Sequence, residues 1–121
     1  MIRVSSVLVV TRHAPYGTSL SRAALDTVLA AAAFDRPPTL LFLGDGVLQL
    51  LPDQDAAAVG TRSHGRVLES LPLYDVNTLF VDSAALAQYG ISRAQLPAGA
   101  TVLEDQGISQ LMSEHDHILG F

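Results

Sequence analysis

Leu40-Leu41-Phe42-Leu43-Gly44-Asp45-Gly46-Val47-Leu48-Gln49-Leu50-Leu51-Pro52 decides the fold. Four apolar residues with no polar alternation, closed by Gly-Asp-Gly, describe a strand buried on both faces that stops at a turn drawing on glycine's dihedral freedom. Such a strand needs cover above and below, so the rest of the chain must flank it or lie over it. Val47, Leu48, Leu50 and Leu51 then form a short, very apolar helix or turn. Pro52 ends it, because the residue before a proline avoids helical dihedrals.

On the N-terminal side of this stretch, Val4 to Val10 reads as a first strand with a buried run from Val7. A loop from Thr11 to Ser19 follows, with Thr18 or Ser19 placed to cap a helix. Leu25, Val28, Leu29, Ala32 and Ala33 recur at helical spacing and mark its buried face, while Arg22 and Asp26 lie off it. Pro37-Pro38 ends that helix. On the C-terminal side, Asp53 to Gly60 reads as a surface loop, and Val67, Leu68 and Leu71 outline a second helix stopped by Pro72. A turn and third strand run to Asp82. Ser83 caps a short helix through Tyr89, with Gly90 suited to its left-handed end. Ala100 to Glu104 gives a fourth strand, Asp105 to Ser113 a last helix and His117 to Phe121 a fifth strand. Strands and helices alternate without hairpin signals. The expectation is therefore one three-layer α/β/α domain over residues 1–121, built on a mainly parallel five-stranded sheet with right-handed helical crossovers.

Composition narrows the function. The chain has 121 residues, 49% of them hydrophobic and only 16% charged, a shortage of charge that suggests apolar surface reserved for a partner. Its net charge is −5, and its seven basic residues are all arginines scattered singly, so no basic patch offers direct nucleic-acid binding. No apolar run approaches the ~20 residues that span a bilayer, and no signal-peptide core follows the N-terminus, which predicts a cytoplasmic protein without membrane contact. Cysteine and lysine are both absent, which removes thiolate chemistry, disulfides, sulfur-ligated zinc and Schiff-base catalysis from this chain.

Several polar residues invite a chemical role, each with a local alternative. Arg12 and His13 directly after a strand are similar to the Arg-His pair of histidine phosphatases, which makes a small phosphohydrolase using His13 a competing function. Ala14 stands where that family has glycine. Pro15-Tyr16-Gly17-Thr18 has the makings of a phosphate cradle at a helix N-terminus, or of an ordinary capped loop. His115 and His117 beside Glu114 and Asp116 look like a metal cluster lacking an identifiable third ligand, so no metal or other cofactor is expected. Asp45 and Asp82, at the ends of the second and third strands, are the carboxylates placed to face a shared cleft. Their local alternatives are a turn residue and a helix cap.

Pro15-Tyr16-Gly17-Thr18 with Arg22 and Leu25-Asp26, the Phe42 to Pro52 stretch, Leu71-Pro72-Leu73-Tyr74-Asp75-Val76 and Asp116 to Phe121 occur in one order across nearly the whole chain. Together they resemble the TusC-like, DsrF-related subunits of the DsrE/DsrF/DsrH-like family. The resemblance implies a largely parallel five-stranded sheet and a bacterial heterohexamer with two copies each of TusB-like, TusC-like and TusD-like subunits. That complex receives persulfide sulfur from TusA and hands it to TusE, for the 2-thiouridine at the wobble position of certain transfer RNAs. A DsrF-like role in sulfur oxidation is the alternative within the family. In TusD-like subunits the sulfur carrier is a cysteine shortly before a small-residue helix ending in glycine. Anchoring on Gly90 puts its counterpart at Asp82, and a carboxylate cannot form a persulfide. The resemblance therefore implies a non-catalytic subunit that acts by contact. Val47, Leu48, Leu50, Leu51, Leu71, Leu73 and Tyr74 are its candidate interface residues.

Overall fold

The computed structural model describes residues 6–15, 19–34, 37–51 and 59–121, with side chains from residue 64 onward in the last of these segments. Pro52, Thr18 and the Tyr16-Gly17 part of the proposed cradle lie outside the described residues. The strands are β1 (Val7–Thr11), β2 (Thr39–Phe42), β3 (Leu79–Asp82), β4 (Ala100–Leu103) and β5 (His117–Gly120). The α-helices are α1 (Leu20–Ala33), α2 (Val59–Ser70), α3 (Ser83–Tyr89) and α4 (Asp105–Ser113). All four strand pairings are parallel, in the order β4-β3-β2-β1-β5. The decisive stretch thus supplies the central strand, and Leu40, Leu41 and Phe42 are fully buried.

Connection handedness distributes the helices. From β1 to β4 each new strand is added on the same side of the last, so right-handed crossovers place α1, α2 and α3 on one face. Return from β4 to β5 crosses the sheet the other way and puts α4 on the opposite face. Two cores result. On the first face Val9, Leu40, Phe42, Leu79 and Val81 meet Ala24, Leu25 and Val28 of α1 and Ala85 and Leu86 of α3. On the second, Leu8, Val10 and Leu41 meet Leu111 of α4, with Phe80, Leu103, Ile108 and Met112 partly covered around them. Alternate residues of one strand serve opposite cores, as a sheet covered on both sides requires.

Local chemistry differs from expectation in a few places. Ser19 occupies the N-cap position of α1, but its side chain makes no capping bond. The buried stripe of α1 starts earlier, at Ser21 and Ala24, and Ala33 is exposed. Arg22 and Asp26 lie outside it and pair at 3.2 Å. Gly60 belongs to α2 rather than to a loop, and Pro72 sits inside a 3-10 turn (Leu71–Tyr74) that continues from α2. The cap of α3 is Asp82, one residue before Ser83, and accepts from the Ala84 amide at 3.1 Å. Gly90 takes the left-handed end at φ 64°.

The Gly-Asp-Gly turn uses its two glycines differently. Gly44 has φ 49° and supplies the left-handed turn. Gly46 supplies space, because a Cβ there would stand 2.2 Å from the Thr11 carbonyl oxygen. A 3-10 helix (Gly44–Leu50) then packs against the end of β1.

Candidate functional site

The carboxyl ends of β1, β2 and β3 form the polar end of the domain, where open α/β sheets place their ligand crevices. Asp82 ends β3 and turns its carboxylate onto its own backbone. One oxygen accepts from the Ala84 amide at 3.1 Å, and the other lies 3.4 Å from the Gly44 amide, at the long limit of a hydrogen bond. Asp45, next to Gly44, accepts a hydrogen bond from the Tyr89 hydroxyl of α3. The two aspartates therefore reach the same end of the sheet, as their strand positions predict. Both carboxylates bind neutral donors that join β2's turn to α3.

Beneath them lies a buried polar chain whose connectivity the sequence did not reveal. Gln49 Nε2 donates to Thr11 Oγ1 at 2.8 Å and to the His13 carbonyl at 2.8 Å, and Gln49 Oε1 lies 2.7 Å from His64 Nε2. The His13 carbonyl only accepts, which fixes the Gln49 amide and makes its oxygen the acceptor for His64. His64 is consequently the tautomer with its proton on Nε2. Thr11, Gln49 and His64 are all buried. Burial disfavours the imidazolium first, and the Arg22 guanidinium adds to that, with partial relief from Asp26. The His64 pKa is lowered to about 4. The network ties α2 and the 3-10 helix to the loop after β1, so it holds the backbone at His13 in place.

His13 itself does not have the surroundings of a phosphoryl-accepting histidine. Its Nδ1 is buried and, among the described residues, has no hydrogen-bond partner. An attacking imidazole needs its opposite nitrogen oriented by an acceptor, and none of the described residues gives His13 that support. The histidines near the C-terminus separate as well. His115 precedes β5, donates from Nδ1 to the Leu111 carbonyl at 2.8 Å and accepts at Nε2 from Thr39 Oγ1 at 3.1 Å. With both nitrogens engaged it fastens α4 to β2, while His117 lies exposed on β5. Asp116 accepts from the Ser6 amide at 3.0 Å. Among the described residues no group of three or more His, Cys, Asp or Glu side chains is arranged to hold a metal ion.

The seven candidate interface residues divide by burial. Val47, Leu50 and Leu71 are core, closing the first face over β2 and β3, so they complete this fold instead of facing a partner. Leu48 and Leu51 pack partly against that core. Leu73 is 85% exposed and Tyr74 46%, both on the turn after α2. Only these two present substantial apolar surface.

A family model described as the DsrE/DsrF-like family matches residues 5–121. The chain belongs to that family. It is 34% identical to a protein TusC homolog of Pseudomonas aeruginosa over 114 residues, covering 94% of this chain and 96% of that protein. It is 32% identical to the intracellular sulfur oxidation protein DsrF of Allochromatium vinosum over 132 residues, 98% of this chain and 97% of that one. Among solved structures, the crystal structure of the ychN protein from E. coli superimposes with a TM-score of 0.81, at 21% identity, covering 98% of this chain and 100% of its own. At that identity the likeness speaks for the fold, a parallel five-stranded α/β sheet.

Asp82's capping role has a measurable consequence for stability. Asp82→Ala is expected to lower stability by about 1 kcal/mol, the usual cost of an N-cap, with Asp82→Asn retaining most of it. Urea midpoints of the two variants check this, and equal losses for both would show that the cap geometry is not what matters.

Proposed function

We propose that this chain is a non-catalytic subunit of a sulfur relay, a TusC-like component that assembles with TusB-like and TusD-like subunits, two copies of each. The complex passes persulfide sulfur from TusA to TusE for thiolation of the wobble uridine of transfer RNA. The observation that carries the reading is chemical. The chain has no cysteine, and Asp82, the counterpart of the family's carrier residue by resemblance, spends its carboxylate on the amides of Ala84 and Gly44. A carboxylate so tied caps a helix and accepts no sulfane sulfur. Held against its own backbone amides, the carboxylate is not offered to a neighbouring thiol, where its charge would oppose thiolate formation. Of the seven candidate interface residues, Leu73 and Tyr74 are the ones exposed enough to meet a partner. A cytoplasmic location suits such a role, and no helix among the described residues is long and apolar enough to cross a membrane.

A second reading within the family is a DsrF-like subunit serving sulfur oxidation, favoured by the 32% identity to DsrF. It keeps the assembly and changes the client. Genes for dissimilatory sulfite reductase beside this one would select it.

Co-expression with TusB-like and TusD-like partners tests the proposal. The expected result is one stable complex in which radiolabelled persulfide sulfur is retained by the TusD-like chain and never by this one. Leu73→Asp should weaken complex formation at least tenfold while leaving thermal stability unchanged, because the side chain is solvent-facing. A chain that ignores both partners, or that itself retains label, overturns the reading.

A further inference from the structure

Among the described residues β5 is an edge strand with no neighbour on its outer side, and that edge carries a self-complementary pattern. In a parallel ladder alternate residues direct both N–H and C=O to one neighbour. The His117 amide donates to the Ser6 carbonyl at 3.0 Å, the Phe121 amide donates to the Val10 carbonyl at 2.9 Å, and the Phe121 carbonyl accepts from the Arg12 amide at 2.9 Å. Residues 117, 119 and 121 therefore bond to β1, and Ile118 and Gly120 direct their amides and carbonyls away from the sheet. All four β5 residues are exposed. Ile118 at 46% and Leu119 at 42% are the only exposed large apolar side chains on any strand among the described residues. Natural edges are protected by lysine, proline, a bulge or an inward charge, and His117–Gly120 contains none of these.

We propose that β5 is a pairing edge for a second copy of this chain, the two strands running antiparallel about a dyad at Leu119 and joining two sheets into one of ten strands. That register is the one that pairs both outward residues, each with the other's counterpart. Ile118 bonds to Gly120 of the partner subunit and Gly120 to Ile118 of the partner subunit, while Leu119 faces its own counterpart in the non-hydrogen-bonded position. The side chains fit the same register. Ile118 pairs with Leu8 and Gly120 with Val10 in the β1 ladder, so both lie on the α4 face, and each isoleucine comes opposite a glycine that leaves it room. Nothing inside the chain asks for that glycine. Its φ is not positive, and a Cβ there would meet only the Arg12 guanidinium, at an ordinary 3.6 Å. The pairing segment His117–Gly120 itself carries no charge of fixed sign. The contact needs no TusB-like or TusD-like subunit and stands or falls separately from the sulfur-relay reading.

The cysteine-free chain makes a direct test available. Opposed non-hydrogen-bonded residues of an antiparallel pair have Cα atoms about 4.5 Å apart, within disulfide reach. Full-length Leu119→Cys, alone at several hundred micromolar under mild oxidation, is expected to form a disulfide dimer at least tenfold faster than Leu73→Cys, which is more exposed but lies off the edge. Adding Gly120→Val to Leu119→Cys should abolish the advantage, with circular dichroism verifying the fold. Independently of any variant, the Ile118 and Gly120 amides of the unmodified chain should exchange more slowly with solvent at high than at low protein concentration. Equal cross-linking at residues 119 and 73, or exchange at those two amides that is the same at both concentrations, overturns the proposal.

Discussion

Gly46→Ala should cost about 3–5 kcal/mol, enough to leave much of the chain unfolded at 37 °C and to lower the melting temperature by roughly 10–20 °C. The added methyl carbon would stand 2.2 Å from the Thr11 carbonyl oxygen and 2.9 Å from its carbon, far inside van der Waals contact. Neither side yields easily. Thr11 is fully buried at the end of β1, and its carbonyl accepts the Leu43 amide at 3.0 Å, the bond that joins the ends of β1 and β2. Retreat of the 3-10 helix would instead pull Val47 and Leu50 out of the first core and Gln49 away from Thr11. Two other glycines separate this steric demand from conformational ones. Gly44→Ala meets nothing within 4 Å and should cost about 1 kcal/mol, the penalty of a left-handed non-glycine residue. Gly65→Ala, in the interior of α2 with open space around it, should stabilise the chain by about 0.5–1 kcal/mol. Urea denaturation of the three variants gives the ranking. A Gly46→Ala protein within 1 kcal/mol of the parent would mean that the β1 end and the 3-10 helix are not held as closely as described.

Where the chain's chemistry is local, the sequence exposed it. The unbroken apolar runs at Val7 and Leu40 identify strands covered on both faces, since no half-exposed strand tolerates them, and both are interior strands of the sheet. The bounds of α4 and the left-handed Gly90 followed from caps and spacing. What escaped depends on contacts between distant segments. Val47, Leu50 and Leu71 are as apolar as Leu73, and only the packing of the 3-10 helix and α2 against the sheet separates core from surface among them. Gln49 and His64 are 15 residues apart, and a polar residue in a periodic pattern reads as solvent-facing. Gln49's position inside Val47 to Leu51 was the one hint that a polar group is carried into the core. His64 lies in a polar helix with no such signal. The demand for glycine at 46 was legible as a turn, but the carbonyl it avoids belongs to β1, 35 residues away, and no local pattern announces it.

That buried histidine makes stability depend on pH in a way that can be isolated. His64 in the native chain has its pKa lowered to about 4, whereas in the unfolded chain it titrates near 6.5. Above pH 6.5 it is neutral in both states and the Gln49 network keeps its full strength. As pH falls from 6.5 toward 4 the unfolded chain takes up a proton that the native chain refuses, so stability drops, by about 1.4 kcal/mol per pH unit at most and about 3 kcal/mol in all. Below about pH 4 the native histidine protonates too. The imidazolium then sits in a buried site beside the Arg22 guanidinium, partly offset by Asp26. Carboxylates contribute their own acid sensitivity, so the comparison that isolates His64 is with His64→Gln, whose amide can still donate to Gln49 Oε1 but does not titrate. Between pH 7 and pH 5 the parent should lose about 2 kcal/mol more than the variant in denaturant midpoints, and the gap should close above pH 7. The imidazole resonance of His64 should remain that of the neutral ring at pH 5. Parallel pH profiles for the two proteins, or a His64 resonance that titrates near 6.5, would show that this ring is not held dry against Gln49, and with it the closed arrangement of Gln49, Thr11 and the His13 backbone would have to be given up.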